Sequence, residues 1–218
     1  GSQSKTGEIQ LIEIYLFVNP IGSICLETET KLLDFIANSD KKIQFRVIPL
    51  VNMQTIHQVM KRRGIDARDI DARNKLFTDT YSAALDCKAV QLQGKKIGRK
   101  FMMRLQQAVA CEQIPYSQEL VCAIIDEVGA DLEMFLEDRP SAFVKEMFQN
   151  DQDTARDMGI TQHPSEVVYN FSSHRDYGVL LEGAACISDL PKLCQSDAYR
   201  LPLFQLASHV AKPKKQQL

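Results

Sequence analysis

Long apolar runs are missing from this 218-residue sequence. None approaches the roughly 18 residues that a membrane-spanning helix needs, so no membrane role is expected. An excess of one charge is missing too. Lys and Arg number 26 and Asp and Glu 28, leaving a net charge of −2 and no global basic field to draw the chain to nucleic acid. No C-x-x-C pair occurs. Cys25, Cys87, Cys111, Cys122, Cys186 and Cys194 are scattered, no two closer than eight positions, which excludes a zinc knuckle or a dithiol motif written in local spacing. His57, His174 and His209 stand without ligand-type neighbours, so no metal and no other cofactor is expected. Ser23 has no G-x-S-x-G setting, which removes a serine hydrolase. The polar opening GSQSKTGEIQ lacks the apolar stretch of a secretory signal, and Gly1-Ser2 reads as a cloning scar. Reduced thiols in the cytoplasm are the matching expectation.

What is present is the balance of an ordinary globular protein, 44% apolar and 25% charged. At about 150 residues per domain, there is room for one core fold with a sizeable insertion. Residues 9–18 (IQLIEIYLFV) are almost continuously apolar, as in a strand buried on both faces, and Asn19-Pro20 stops them. Ile24, Leu26, Thr30, Leu33 and Phe35-Ile36 then recur at helical spacing, and residues 43–50 alternate as a second strand. Strand, helix and strand within about 40 residues make a βαβ unit with a parallel pair.

From residue 52 the period is helical for about a hundred residues. One stripe is Leu76, Phe77, Tyr81, Ala84, Leu85 and Leu92. The next is Ile97, Phe101, Leu105, Ala108 and Val109, flanked by a cationic face of Lys95, Lys96, Arg99, Lys100 and Arg104 that reads as solvated or as a dock for an acidic surface. Ser117, Asp131 and Ser141 are placed to open three further helices, with Gly129 and Gly159 closing the first and last. Strand character returns at 165–171 and 178–182 across a polar SSHRDYG turn, and a last helical stretch covers 187–211. The expected organisation is a first α/β part at 8–65, an inserted helical module at 66–140, a second α/β part at 141–211 and a disordered tail at 212–218. The first and last parts together make a thioredoxin-type sheet, although the pattern by itself also allows other open α/β sheets.

Two turns narrow the choice. In a thioredoxin-like domain the turn after the first strand presents thiols at a helix N-terminus, where the dipole and free N–H groups favour a thiolate over the usual pKa of about 8.5. Here that turn is Asn19-Pro20-Ile21-Gly22-Ser23-Ile24-Cys25. The facing turn carries a cis-Pro, and here it is Gly159-Ile160-Thr161-Gln162-His163-Pro164, with Pro164 the candidate.

The stretches LIEIYLFVNPIGSIC, YSAALDCKAVQLQGKKIGRKFMMRLQQAV and GITQHPSEVVYN together resemble the SpxH (YjbH) group of DsbA-like proteins, over residues 11 to 171. That resemblance implies a DsbA-like thioredoxin fold and a non-enzymatic task. Such proteins are cytosolic adaptors that bind an Spx-type transcription regulator and promote its degradation by the ClpXP protease. Holding a client beside a protease raises its effective concentration to about the millimolar range without new chemistry. Family members often carry C-x-x-C where this sequence has Gly22-Ser23-Ile24-Cys25. The N-terminal, attacking thiol is the one replaced, and a resolving thiol alone cannot complete the usual two-step exchange. The turn reads as vestigial, while adaptor activity needs only a surface. The partner-binding candidates are Pro20, Ile21, Ile24, His163 and Pro164.

Competing expectations are distinct in kind. Cys25 is either a reactive thiol serving an oxidoreductase, isomerase or glutathione-linked enzyme, or a small packed side chain. The same groove in a chaperone-like holdase accepts unrelated clients. Cys87, Cys111 and Cys122 read as core or interface residues, and Cys186 and Cys194 as unpaired thiols. His163 is either a tuning and pairing residue or a half-exposed turn residue. Asp66, Asp69 and Asp71 interleave with Arg68 and Arg73 and pair locally.

Overall fold

The computed structural model describes residues 11–171 and 177–195 and the backbone of 209–211. The tail at 212–218, His174 and most of the SSHRDYG turn lie outside the described residues.

Strand β1 (Leu11–Val18) is the spine. Side chains alternate across a strand, so Ile12, Ile14, Leu16 and Val18 enter a large core on one face while Tyr15 and Phe17 enter a smaller one on the other. The near-continuous apolar run therefore means what it does in a buried sheet: both faces are covered. Helix α1 (Ser23–Ala37) returns the chain to β2 (Lys42–Pro49), which runs parallel to β1 from Leu11↔Lys42 to Val18↔Pro49. Strand β3 (Ser165–Asn170) lies antiparallel on the other side of β1, followed by β4 (Tyr177–Glu182) and β5 (His209–Ala211). The sheet order is β2-β1-β3-β4-β5.

Between β2 and β3 lie α2 (Met53–Arg62), α3 (Ile70–Gln91), α4 (Lys95–Gln106), α5 (Gln118–Val128), α6 (Leu132–Asp138) and α7 (Ala142–Asp157). Their ends are chemically specified. Asn52 and Thr55 form a reciprocal capping box on α2, and Asp69, Ser117, Asp131 and Ser141 each accept the expected N–H at the starts of α3, α5, α6 and α7. Gly129 ends α5 in the left-handed conformation, with φ of 80°.

Helix α3 is buried all round from Ala83 to Val90, which is possible because Ala83, Ala84, Cys87 and Ala89 are small. Its two charges there are paired. Lys88 meets Asp151 of α7 at 2.6 Å, and Asp86 accepts from Arg139 at 2.6 Å and from the Tyr116 hydroxyl. The central stretch LDCKAV is thus a hub that pins α7 and the loop before α5.

Several expectations need correction. The inner stripe of α1 is Cys25, Thr28, Glu29 and Leu32, one position off the expected stripe, and Ile24 is 44% exposed. Leu92 and Cys111 are exposed, because the first lies at the end of α3 and the second at the end of a π-helical turn (Gln107–Cys111) after α4. Local pairing joins Asp66 to Arg68, while Asp69 is spent on its cap. Of the helix expected over 187–211, the described residues form two short helices, α8 (Ala185–Ser188) and α9 (Leu190–Leu193), and β5 on the β4 edge, while 196–208 lie outside the described residues. Pro191 starts α9, where its missing N–H costs nothing, but would break a continuous helix.

Candidate functional site

The first turn is organised by Asn19, which is 3% exposed. Its side-chain oxygen accepts the Ile21 N–H at 3.0 Å, and its carbonyl accepts the Gly22 N–H at 3.1 Å and the Gln106 amide at 2.9 Å. Its own N–H donates to Cys25 Sγ at 3.2 Å. Gly22 caps α1 with ordinary extended backbone, but the space beside it is taken: a Cβ there would lie 2.9 Å from Asn19 Cβ and 3.1 Å from Cγ. A side chain at this position would have to push the Asn19 side chain aside.

Cys25 sits in the first turn of α1 and is 1% exposed. Burial pushes its thiol from the usual 9.0 up to about 12, and Glu29 adds to this. The Asn19 N–H and Arg62 pull the other way and lose. Removal from water disfavours the charged form more than one N–H and a helix terminus favour it. One turn on, Glu29 is equally buried, and desolvation lifts its carboxyl to about 8 against the lowering effect of the Gln106 amide. Gln106 is fully buried at the end of α4, immediately before the π turn. At neutral pH this inner side of the turn therefore holds a neutral thiol and a carboxyl that is largely protonated.

The outer side of the same turn opens onto a groove of about 580 Å³. Asn19, Ile21, Gly22, Ser23, Ile24 and, at its floor, the buried Cys25 line it from the turn, Val59, Arg62 and Arg63 from α2 and its C-cap, and Lys75, Leu76 and Asp79 from α3. Ile114 and Tyr116 come from the loop after the π turn, and His163 from the facing turn. His163 is 7% exposed rather than half-exposed. Burial, helped by Arg62, pushes its imidazole down to about 4, and its Nδ1 has no hydrogen-bond partner among the described residues. The His163–Pro164 peptide is cis, and the Pro164 carbonyl accepts the Gly183 N–H at 3.0 Å.

Of the five partner-binding candidates, Ile21, Ile24 and His163 share the groove, whereas Pro20 and Pro164 are buried and do not line it. Glu29, Gln106, Arg62, Arg63 and Ile114 were not singled out from sequence. Glu29 had a legible signal, since it lies four residues after Cys25 on one helix face. Gln106 and Ile114 had none, being more than 80 positions away in the chain. On the cationic face, Arg104 bonds Glu112 at 2.8 Å and Glu127 at 2.9 Å, and Arg99 lies over the Phe45 ring. Cys186 and Cys194 are free and buried. Among the described residues no group of three or more His, Cys, Asp or Glu could hold a metal ion, and no helix is long and apolar enough to cross a membrane.

A family profile described as thioredoxin matches residues 15–189. Curated relatives named ClpXP adapter protein SpxH include one from Bacillus subtilis and one from Staphylococcus aureus. The one from Bacillus subtilis is 22% identical, over 93% of this chain and 70% of its own length. The one from Staphylococcus aureus is 27% identical, over 80% of this chain and 62% of its own length, so the chain spans less than two thirds of that relative. Among solved structures, the oxidoreductase DsbA from Xylella fastidiosa superposes with a TM-score of 0.56 at 14% identity, covering 82% of each chain. The fold is that of a DsbA-like thioredoxin domain.

Proposed function

The chain belongs to the thioredoxin family, and on that premise we propose that it is an adaptor rather than a catalyst: it binds an Spx-type redox-stress transcription regulator and promotes its degradation by the ClpXP protease. The observation that carries this reading is the turn itself. Position 22 is glycine, so no attacking sulfur stands there, a Cβ there would crowd Asn19 at 2.9 Å, and Cys25 is only 1% exposed. What it still offers is a groove, and a groove suffices for recognition. The two relatives named as ClpXP adapter proteins support the same task. Six unpaired cysteines fit work in a reducing cytoplasm.

The test is reconstitution. Purified chain, an Spx-type regulator and ClpXP with ATP are expected to give faster loss of the regulator than the same mixture without the chain. Equal rates overturn the proposal.

A thiol oxidoreductase is the second reading, favoured by the DsbA-like scaffold and the retained Cys25. It requires Cys25 to ionise near neutral pH, against the burial that raises it to about 12. Alkylation of the native protein at pH 8 is expected to label exposed Cys111 quickly and Cys25 only on unfolding. Fast labelling of Cys25 in the native protein restores the enzyme.

A further inference from the structure

Resting on the adaptor reading, we infer that the groove beside α1 takes a short acidic segment of the client, with apolar side chains flanking its carboxylates. The chain as a whole carries a net charge of −2, yet the groove is locally basic. Lys75 and Asp79 pair at 3.1 Å and cancel. His163 is uncharged at neutral pH, and the Tyr116 hydroxyl is committed to Asp86 and Ser82. Arg62 and Arg63, at the C-terminal end of α2, remain. Both are exposed, and among the described residues neither has an ion-pair partner. Arg62 is close enough to act on both Cys25 and His163, which places its charge over the turn itself.

Apolar anchors stand beside these charges. Ile24 of α1 is 44% exposed and Ile114, from the loop after the π turn, is 39% exposed, and both line the same groove. At about 580 Å³ the space suits several residues of an extended chain. Guanidinium forks bind carboxylates in pairs of parallel hydrogen bonds, so two adjacent arginines select acid rather than any polar chain. A nucleic-acid strand fits less well. The groove offers isoleucines where base stacking needs free aromatic faces, and its one aromatic among the described residues, Tyr116, is held by its hydroxyl.

The test is fluorescence anisotropy with labelled octapeptides of alternating leucine and aspartate, leucine and lysine, and leucine and asparagine, and with an oligothymidylate of equal length. The aspartate peptide is expected to bind at least about tenfold tighter than the others at low salt, and to weaken severalfold between about 50 and 300 mM salt. The double change Arg62→Glu with Arg63→Glu is expected to remove that preference, and Arg62→Gln with Arg63→Gln to reduce it. Ile24→Ser is expected to weaken the aspartate peptide severalfold without changing the salt dependence. Equal binding of the three peptides, a preference that survives the charge reversal, or tighter binding of the oligonucleotide overturns the inference. The outcomes separate it from its premise. A chain that accelerates degradation by ClpXP but ignores the aspartate peptide keeps the adaptor and loses this groove assignment. A chain that selects the peptide but leaves degradation unchanged loses the adaptor.

Discussion

Ile24 and Cys25 are neighbours on the first turn of α1 and stand in opposite environments, 44% and 1% exposed. On the Cys25 side, Asn19 and Gln106 tie the turn together by hydrogen bonds, and burial raises the pKa values of Cys25 and Glu29 so that both favour the neutral form. On the Ile24 side, apolar surface and two guanidinium groups with no ion-pair partner among the described residues face water. A thiol is useful only where it can ionise and be reached, whereas recognition needs only exposed shape and charge. One turn can lose the first property through packing and keep the second through exposure.

The strongest way to break this contrast is to disturb the inner side through the hub that supports it. Lys88→Met leaves the Asp151 carboxylate buried and unpaired, and is expected to cost about 3–5 kcal/mol in denaturant unfolding. A loss under about 1 kcal/mol would mean that the Lys88–Asp151 pair does not pin α7 to α3.

Next is the pH dependence of the inner side. Glu29 has a folded pKa of about 8 against a usual 4.5, so the folded chain holds a proton that the unfolded chain releases. Its contribution is complete below pH 4.5 and is lost as pH rises to about 8. Glu29→Gln is therefore expected to gain on the native sequence by about 3 kcal/mol between pH 5 and pH 8, read as the difference between two unfolding curves. His163, with its pKa lowered from 6.5 to about 4, has the opposite sign: stability falls as pH drops through that window, in both proteins alike. A difference that does not change with pH refutes the neutral Glu29.

Restoring the missing sulfur sharpens the comparison. Gly22→Cys forces a Cβ to within 2.9 Å of Asn19 Cβ, so it is expected to lower stability by about 1–3 kcal/mol and to give no turnover of a model disulfide. Active, undiminished Gly22→Cys protein would show that the turn is open. The smallest effect belongs to the outer side. Ile24→Ser is expected to shift stability by less than about 0.5 kcal/mol, because the side chain already meets water, while client binding falls.

The elements that were legible in advance share a local cause. Strand β1 announces itself because an apolar run of that composition has no other stable setting, and Ser117, Asp131 and Ser141 mark helix starts because their caps bond within the next turn. The two turns were legible for the same reason, each lying at the end of a strand or the start of one. The segment 209–211 has no local signature of a strand and is a strand only because it pairs with β4. The stripe of α1 was misread by one position because Glu29 counted as polar, and only the amide of Gln106 and the enclosing core make its burial tolerable.

Chemistry written within a few residues was thus set by the sequence: the apolar spine, the helix caps, the two proline-bearing turns and the absence of a second thiol at position 22. Whether Cys25 ionises and which charges reach the groove were decided only when distant segments met. Burial and Coulomb interaction depend on distance in space, and Asn19, Gln106, Arg62 and His163 become neighbours only through the fold.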